Sequence, residues 1–493
     1  MTEVSSDTMV KPGDVVIDEI TLKSYTGFTM SLKGIFENFV LYEDIFSNCM
    51  SGSITLIESV NLVKNFPIIG AETLTIIYRT PTPGSQPVKM VFRTYKISVL
   101  TETVQESTQM VRIEFVAQQA IKSMQTKVSK SYRNMPVSRM VESIFDEFLA
   151  VDSGENNGLI SASAGGAAAG GLIGSMIPIP NGFGGGGAYF AGGTIGVPRE
   201  AFDDDKIHLK TVTETFDNRS YVIPYWSPLY AINWLAHRAR ARADTSMCDY
   251  VLFQNSDGHH FVPLSGLKTA DASFTYTNYP DGFRSDDGAR MLESELRNIH
   301  SLVVEDMTDK IKQQNLGMLA SAIMTHDMTT KTWSTSQFKY DKSFMNDAAH
   351  LEKNPLIPMQ KIDYTDSVES HIRFYPKSSY SMAGLAQVHD PDETVLLRQS
   401  LLNQMNSINL IVSCYGDTNV KVGQVINFRT ISRESTKNQD NYEDDYLKGR
   451  YLVTTVKHLV TDREHTMTMT LSRDSFAEPI ADYKKADLNL ETS

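Results

Sequence analysis

Cysteine, tryptophan and excess basic charge are all scarce in this 493-residue chain. The three cysteines, Cys49, Cys248 and Cys414, are odd in number and far apart, which excludes a disulfide framework and a CxxC-type metal centre. Buried free thiols are the expectation. Lys and Arg total 46 against 59 Asp and Glu, a net charge of -13, so the positive field a general polyanion binder needs is lacking. The opening Met1–Asp14 carries acids, hydroxyls and a proline where a secretory signal would need a basic region followed by an apolar run. Synthesis in a cytoplasm without export by that route follows as an expectation.

Catalytic signatures are equally sparse. There is no GxSxG, no HExxH, and no cysteine paired with a plausible histidine. Gly182-Phe183-Gly184-Gly185-Gly186-Gly187 satisfies GxGxxG formally, with Asp203-Asp204-Asp205 downstream, but prolines precede it and more glycine follows, where a nucleotide site needs a strand and then a helix. His326-Asp327 and the doublet His259-His260 lack the three or four convergent ligands of a metal site. Glu443-Asp444-Asp445 lacks calcium-loop spacing and reads as a solvated loop, and Asn218-Arg219-Ser220 is an acceptor motif a non-secreted chain would not use. No catalytic residue, cofactor or metal is assigned.

What is present is strand. From residue 14 to about 119, β-branched and alternating runs recur at Val15–Leu22, Phe28–Phe46, Ser53–Ile57, Leu74–Tyr78, Val88–Leu100 and Met110–Val116, which predicts a barrel or sandwich. In the fifth run, Val91, Tyr95, Ile97 and Val99 take one face and Met90, Phe92 and Lys96 the other. Pro81-Thr82-Pro83-Gly84 reads as a hairpin loop. Strands are expected again at Asn298–Glu305, Leu319–Lys339, Ile408–Cys414, Gln424–Ile431, Arg450–Val460 and Thr466–Ser472, with Asn354–Met382 only weakly periodic between them.

Three helices interrupt this pattern. Pro136 at a first helical position opens Val137–Ala150, Ser227 caps a helix that starts at Pro228 and ends in Arg238, Arg240 and Arg242, and Asp390, Pro391 and Glu393 open a third. Between the first two, Gly158–Val197 holds fourteen of the chain's thirty glycines and reads as an insertion loop. Its Pro178 and Pro180 and its few aliphatics argue against a membrane-spanning helix. The expected architecture is mainly β with some α: two β-barrels joined by a mixed helical region. Residues 12–125 form the first barrel and 126–265 the connecting domain with its insertion at 158–197. Residues 266–345 and 406–476 form a split second barrel, 346–405 an insertion with a helix, and 477–493 a tail.

Several motifs resemble the baseplate central hub proteins of contractile phage tails. Near the start these are Tyr42-Glu43-Asp44-Ile45-Phe46, Ser51-Gly52-Ser53-Ile54-Thr55-Leu56 and Asn65-Phe66-Pro67-Ile68-Ile69-Gly70-Ala71-Glu72-Thr73-Leu74. Near the end, Val420-Lys421-Val422-Gly423-Gln424-Val425-Ile426-Asn427-Phe428, Gly449-Arg450-Tyr451-Leu452-Val453-Thr454-Thr455-Val456-Lys457-His458 and Thr468-Met469-Thr470-Leu471-Ser472-Arg473-Asp474 resemble the closing barrel of that family and, more distantly, of VgrG-type spike proteins. The middle helix segment Ile223-Pro224-Tyr225-Trp226-Ser227-Pro228-Leu229-Tyr230 is also similar. Read physically, these are scaffold residues: Gly52 and Gly423 at turns, Pro67 ending an extended run, and Val453 and Val456 on opposite faces of one alternating strand.

The resemblance implies tail-tube-like barrels in a homotrimer that adapts a six-fold tail tube to a three-fold spike, within the tail baseplate of a virion assembled in a host cytoplasm. Its implied partners are further copies of the chain, the tube protein, the spike protein and, at the insertion, the tape measure protein or other baseplate proteins. DNA would pass only in transit, past an acidic wall. Two alternatives stand beside this reading. One is a VgrG-like hub of a secretion or injection system, whose chains usually continue into a long needle. The other is a tail-associated cell-wall hydrolase, which would need a spatially assembled pair of carboxylates.

Overall fold

The computed structural model describes residues 9–58, 66, 68–82, 85–103, 108–151, 207–280, 288–306, 309–327, 330–344, 349–357, 366–377, 391–432 and 443–478. It is mainly β, with 49% strand and 19% helix. The first seven strands are β1 (Val16–Lys23), β2 (Thr29–Ser31), β3 (Phe36–Asp44), β4 (Ser51–Glu58), β5 (Thr73–Arg79), β6 (Val88–Thr103) and β7 (Thr108–Ala117). Helix α1 (Gln118–Gln125), β8 (Val128–Pro136), α2 (Val137–Ile144), β9 (Leu209–Val212), β10 (Asn218–Trp226), α3 (Pro228–Ala236), β11 (Tyr250–Asn255), β12 (Gly258–Pro263) and α4 (Leu264–Lys268) follow. Then come β13 (Phe274–Asn278), α5 (Gly288–Leu296), β14 (Ile299–Asp306), α6 (Lys310–Asn315), β15 (Ala320–Asp327), β16 (Thr332–Lys339), α7 (Tyr340–Ser343), β17 (Asn354–Pro355) and β18 (Ile372–Lys377). Helix α8 (Pro391–Met405), β19 (Ile408–Tyr415), β20 (Val425–Thr430), β21 (Gly449–Thr461), β22 (His465–Arg473) and β23 (Ser475–Phe476) are the last elements among the described residues.

Thirteen strands form one sheet, in the order β14-β19-β22-β21-β3-β4-β7-β6-β5-β1-β2, with β20 pairing β21 and β13 pairing β20. The N-terminal part, β1 to β7, encloses its own apolar core, which includes Phe39, Ile54, Leu74, Phe92 and Phe115. The C-terminal part encloses another around Tyr276, Leu410, Val425, Tyr451 and Met469. Strands β3 and β21 join the two by an antiparallel ladder that pairs Thr455 with Asp44 at one end and Thr461 with Asn38 at the other. A third core, around Ile144, Phe145, Ile232 and Phe261, holds α2, α3 and the β9-β12-β11 sheet together. Among the described residues no closed barrel is detected. The reason is local: β2 is three residues long and pairs with β1 alone, while β13 meets the approach to β14 at a single bridge, Thr277 to Asn298, in place of a ladder.

Two bulges change the faces read from simple alternation. In β6, Thr94 pairs with Phe115 and Lys96 with Glu114, so Tyr95 is an extra residue. Met90 and Phe92 are buried as expected, but Tyr95 is expelled to 49% exposure and Ile97 turns to pack against the same core. In β21, Val453 pairs with Leu471 and Thr455 with Thr470, so Thr454 is the extra residue. Val453 and Val456 therefore do not oppose each other across the sheet, because the bulge restores parity and both lie in the C-terminal core, fully buried.

Other elements differ from expectation for equally local reasons. The run Phe28–Phe46 is two strands, broken where the Ile35 and Phe36 amides donate to the Leu32 carbonyl. Pro136 is still in β8, in extended conformation, and caps α2 from outside. Beyond Ile144 the helix widens to a π-helical turn, Phe145–Leu149. Helix α3 stops at Ala236, short of the arginines. Arg238 folds back instead, donating to the Trp234 carbonyl at 2.9 Å with its guanidinium 3.6 Å from the indole ring centre. Ile223–Trp226 is strand, not helix. The run Leu319–Lys339 is a hairpin, β15 and β16, which with β18 makes a separate three-stranded sheet. Asp390 and the side chain of Glu393 lie outside the described residues, as do Gly158–Val197 and Asp203-Asp204-Asp205.

Because both valines face the core, Val453→Asp and Val456→Asp should each remove the folded protein, an unpaired buried carboxylate costing several kcal/mol. Circular dichroism and thermal melts of soluble material measure this. A V456D variant that melts like the wild type would refute the bulge.

Candidate functional site: the seam between the two half-sheets

Of the residues singled out by the sequence, Tyr42, Glu43, Asp44, Val422, Gly423, Val453, Val456 and His458 gather at the joint between the half-sheets and Gly449, Tyr451, Arg473 and Asp474 at the far end of β22, whereas Gly52, Gly70 and Glu72 lie within the N-terminal half-sheet and Pro224, Trp226 and Pro228 in the connecting region. Tyr42, on the outer face of β3, is 45% exposed, and its ring lies 6.0 Å from the ammonium of Lys457, its partner across the ladder. Glu43, the next residue, points inward by the strand alternation and is fully buried. Its Oε1 accepts from the Ser256 amide at 3.0 Å and its Oε2 from the Val422 amide at 3.2 Å. One carboxylate thus ties β3 to the β11–β12 turn and to the loop before β20. Burial pushes its pKa up to about 7, against the two backbone donors and Lys421, which pull it down. Lys421 itself pairs with Asp257 at 2.6 Å. Asp44 turns the chain by accepting from the Phe46 amide at 2.8 Å.

Gly52 is not at a turn, as its sequence position suggested, but inside β4, opposite Phe115 in the β4–β7 ladder. A Cβ there would lie 2.3 Å from the Val40 carbonyl and 2.6 Å from the Phe115 ring, so the aromatic ring lies directly over the glycine backbone. Gly423 takes φ +90° and donates its amide to the Val453 carbonyl at 3.0 Å, which locks the Val422 loop onto β21. Gly70, at φ +86°, shapes a turn around Glu72. The buried Glu72 carboxylate accepts from the amides of Ile69, Gly70 and Ala71 and from the Thr94 hydroxyl, at 2.7 to 3.1 Å. Pro67 lies outside the described residues.

A second clasp was not anticipated. Thr80, in the β5–β6 hairpin loop, exchanges hydrogen bonds with Thr418, each amide donating to the other's hydroxyl at 3.1 Å. Below it, His458 and His465 meet with Nδ1 and Nε2 3.0 Å apart, fully buried, with Tyr78 edge-on to His465. Desolvation pushes His458 down to about 4, and His465 well below its ordinary value.

At the far end of β22, Gly449 and Tyr451 lie beside Arg473. The Arg473 guanidinium donates to the Lys448 and Tyr446 carbonyls and rests 4.8 Å from the ring centres of both Tyr451 and Phe476. The Tyr451 hydroxyl donates to the Leu447 carbonyl at 2.8 Å. Asp474 is buried against Lys268 and His350. Pro224 falls in an irregular stretch of β10, where Ile223 pairs with Lys130 and Trp226 with Val128. Its missing amide suits that break. Trp226 and Pro228 are separated by the Ser227 cap, which makes no side-chain bond.

The residues considered for chemistry are occupied by packing. His259 is buried against Phe145, and His260 stacks on Phe253 and reaches Asn255 at 2.9 Å. His326 stacks on Trp333 in the β15–β16 hairpin. Asp444 caps the amides of Tyr446 and Leu447, while Asp445 pairs with Lys448. All three cysteines are free thiols, Cys248 and Cys414 buried and Cys49 half-buried. Among the described residues no group of three or more His, Cys, Asp or Glu could hold a metal ion, and no helix is long and apolar enough to cross a membrane.

No protein-family model matches the chain, and no curated protein matches it. Solved structures similar to it are phage tail proteins and their secretion-system counterparts. They include a tail protein from Neisseria meningitidis MC58 at 8% identity and TM-score 0.47, covering 94% of this chain and 98% of that one. A 43 kDa tail protein of prophage MuSo2 from Shewanella oneidensis matches at 8% identity and TM-score 0.47, covering 92% and 98%. The E. coli c3393 protein, a type VI secretion system component with structural similarity to the T4 bacteriophage tail proteins gp27 and gp5, matches at 7% identity and TM-score 0.39, covering 94% and 77%.

The seam sets a pH dependence. A buried histidine with a lowered pKa takes up its proton more readily when unfolded, so stability is intact above about 6.5 and falls as pH drops toward the folded value. For His458, held at about 4 against an ordinary 6.5, the loss over that interval is about 3 kcal/mol. Glu43 acts in the opposite sense: with its folded pKa raised from 4.5 to about 7, its contribution is intact below 4.5 and is lost as pH rises through 7. Urea melts from pH 4 to 8 should show a shallower acid limb for His458→Gln, and the wild type should lose its excess over Glu43→Gln as pH rises through 7. Parallel curves for all three proteins would show that neither group governs the seam.

Proposed function

We propose that the chain is a structural hub of a contractile phage tail, forming a trimeric ring in the baseplate between the tail tube and the spike. The observation that carries this reading is the β3–β21 ladder. Two half-sheets with separate cores become one continuous surface, and part of the hub resemblance, Tyr42-Glu43-Asp44 on β3 and Thr455-Val456-Lys457-His458 on β21, falls on that joint. Two such units per chain supply six per trimer, the number needed to meet a six-fold tube from above and a three-fold spike from below. The ends of the sheet support ring formation. In the described residues β2 and β14 terminate the strand order, and an edge strand offers unpaired main-chain groups to which another chain or segment can pair.

In this reading each half-sheet serves as one tail-tube-like barrel, completed where the ladders of the single chain stay open. The partners are two further copies, the tube protein and the spike protein, and DNA passes through without stable binding. The acidic balance supports transit, since like charge suppresses phosphate adhesion. The insertion 158–197 is read as a contact element for the tape measure protein or another tail component. Its surroundings support an add-on: the Ile207 amide donates to the Val151 carbonyl at 2.8 Å, so the chain on either side of residues 152–206 is already tied at the base.

Light scattering at micromolar concentration, alone and with the spike protein, tests the assembly. A trimer is expected, and a strict monomer under both conditions would overturn the hub reading. Anisotropy titration with duplex DNA at physiological salt should show no binding, whereas submicromolar affinity with a steep salt slope would place a basic surface on the chain. Replacing residues 158–197 by a short linker should leave melting and trimer formation unchanged while tail assembly fails. Loss of the trimer would show that the segment belongs to the scaffold.

A further inference from the structure

We propose that Lys268 and Asp474 are joined by an intramolecular isopeptide bond, formed by condensation of the lysine amine with the aspartate carboxyl group. The Lys268 Nζ lies 2.8 Å from Asp474 Oδ2, and both side chains are 0% exposed. His350 Nδ1 lies 3.0 Å from the same oxygen, and the other oxygen, Oδ1, accepts from the Leu351 amide at 3.1 Å and from the Ser475 hydroxyl at 2.9 Å. Apolar groups wall the pair on one side, where the Phe344 ring stacks on His350 at 3.8 Å and Tyr340, Leu351 and Phe476 are buried in the same core, while the Arg450 guanidinium donates to the Lys268 and Leu351 carbonyls at 3.1 Å on the other. An amine nucleophile, a carboxyl group, a histidine on the departing oxygen and two donors on the opposite oxygen thus converge where water is excluded.

The two carboxyl oxygens have different partners, and the difference matches the two roles condensation requires. Burial pushes the Asp474 carboxyl up while Lys268 and His350 pull it further down, so the ion pair is the resting form. Reaction draws on the neutral pair, reached when one proton moves from Nζ to Oδ2 along their hydrogen bond. The Nζ lone pair then adds to Cγ, and the negative charge that develops on Oδ1 is held by the Leu351 N–H and the Ser475 O–H. The second proton passes from Nζ to Oδ2 along the same 2.8 Å contact, while His350 Nδ1, 3.0 Å from Oδ2, holds the departing oxygen. The Cγ–Oδ2 bond breaks, water leaves, and a neutral amide remains where two buried charges stood. A buried ion pair retains its desolvation penalty and an amide does not, so the product relieves a cost the folded chain otherwise carries. Only one turnover is needed, and once the water has left, its exclusion from the buried site keeps the amide from being hydrolysed.

The bond would tie the end of α4 to the end of β22 across 206 residues, closing the C-terminal half-sheet covalently. Intact-mass spectrometry of the full chain tests it directly. The wild type is expected to be lighter by one water than its sequence, with a tryptic peptide linking the Lys268 and Asp474 segments. Lys268→Ala and Asp474→Ala should show the full mass, His350→Gln a mixture, and Asp474→Asn a loss of ammonia in place of water. If the alanine variants do not fold, the wild-type mass still decides. A wild-type chain of unmodified mass after incubation at neutral pH overturns the proposal, and so does water loss without the linked peptide, as a succinimide at an aspartate would give.

Discussion

The buried carboxylate of Glu43 is the interaction on which the arrangement of the chain depends. Taking an acid out of water is unfavourable unless its oxygens are matched, and here each oxygen meets one backbone amide from a different part of the chain. Those amides belong to turns, whose donors no ladder satisfies. Glu43 therefore fixes the β11–β12 turn and the Val422 loop to β3 at the point where β3 also pairs with β21. Removing it would orphan two donors at once, and a buried unsatisfied donor costs about 1 to 3 kcal/mol. The N-terminal half-sheet, the connecting domain and the C-terminal half-sheet are held at one side chain.

Around that point the joint is over-determined. The β3–β21 ladder supplies directional main-chain bonds, the Thr80–Thr418 exchange ties the loops at one end, and the histidine pair fills the interior with polar atoms that stay neutral. Gly52 allows Phe115 to lie against the β4 backbone, so the sheet packs tightly one strand away from the seam. None of these contacts is specific to a small molecule. They fix two separately cored units to each other through main-chain and side-chain bonds together.

Much of this was legible in the sequence, and what was not has a common cause. Strand positions followed from alternation: Met467, Met469 and Leu471 are buried and Thr466, Thr468 and Thr470 half-exposed, as their spacing indicates. The bulges at Tyr95 and Thr454 were not legible, because a bulge is defined by the partner strand and leaves no mark on its own periodicity. Glu43 stood out as a motif residue, yet its partners lie 213 and 379 positions away, so its role required the fold. Glu72 is the contrast: three of its four donors are within three residues, and Gly70 before it was the local sign of a turn. The Lys268, His350 and Asp474 cluster gave no signal beyond a charged pair, Arg473-Asp474, at the close of an alternating strand. Arg238 was misplaced because a basic residue after a helix suits its C-terminus whether it continues the helix or folds back on it, as it does over Trp234.

The pattern of rigidity bears on assembly. Both half-sheets are closed at the seam and open at the far ends, where β2 offers three residues and β14 leaves Val303 53% exposed. A sheet that joins its two halves internally, through β3 and β21, leaves its outer strands as the surfaces through which it can meet a neighbour. The same division appears in the side chains: polar groups that need partners are buried at the joint, whereas the three-stranded β15, β16 and β18 sheet presents Trp333, Ile372 and Phe374 to solvent. A unit fixed inside and open at its rim can meet a neighbour without disturbing the joint, because its edge strands lie outside the contacts that Glu43 and the β3–β21 ladder secure.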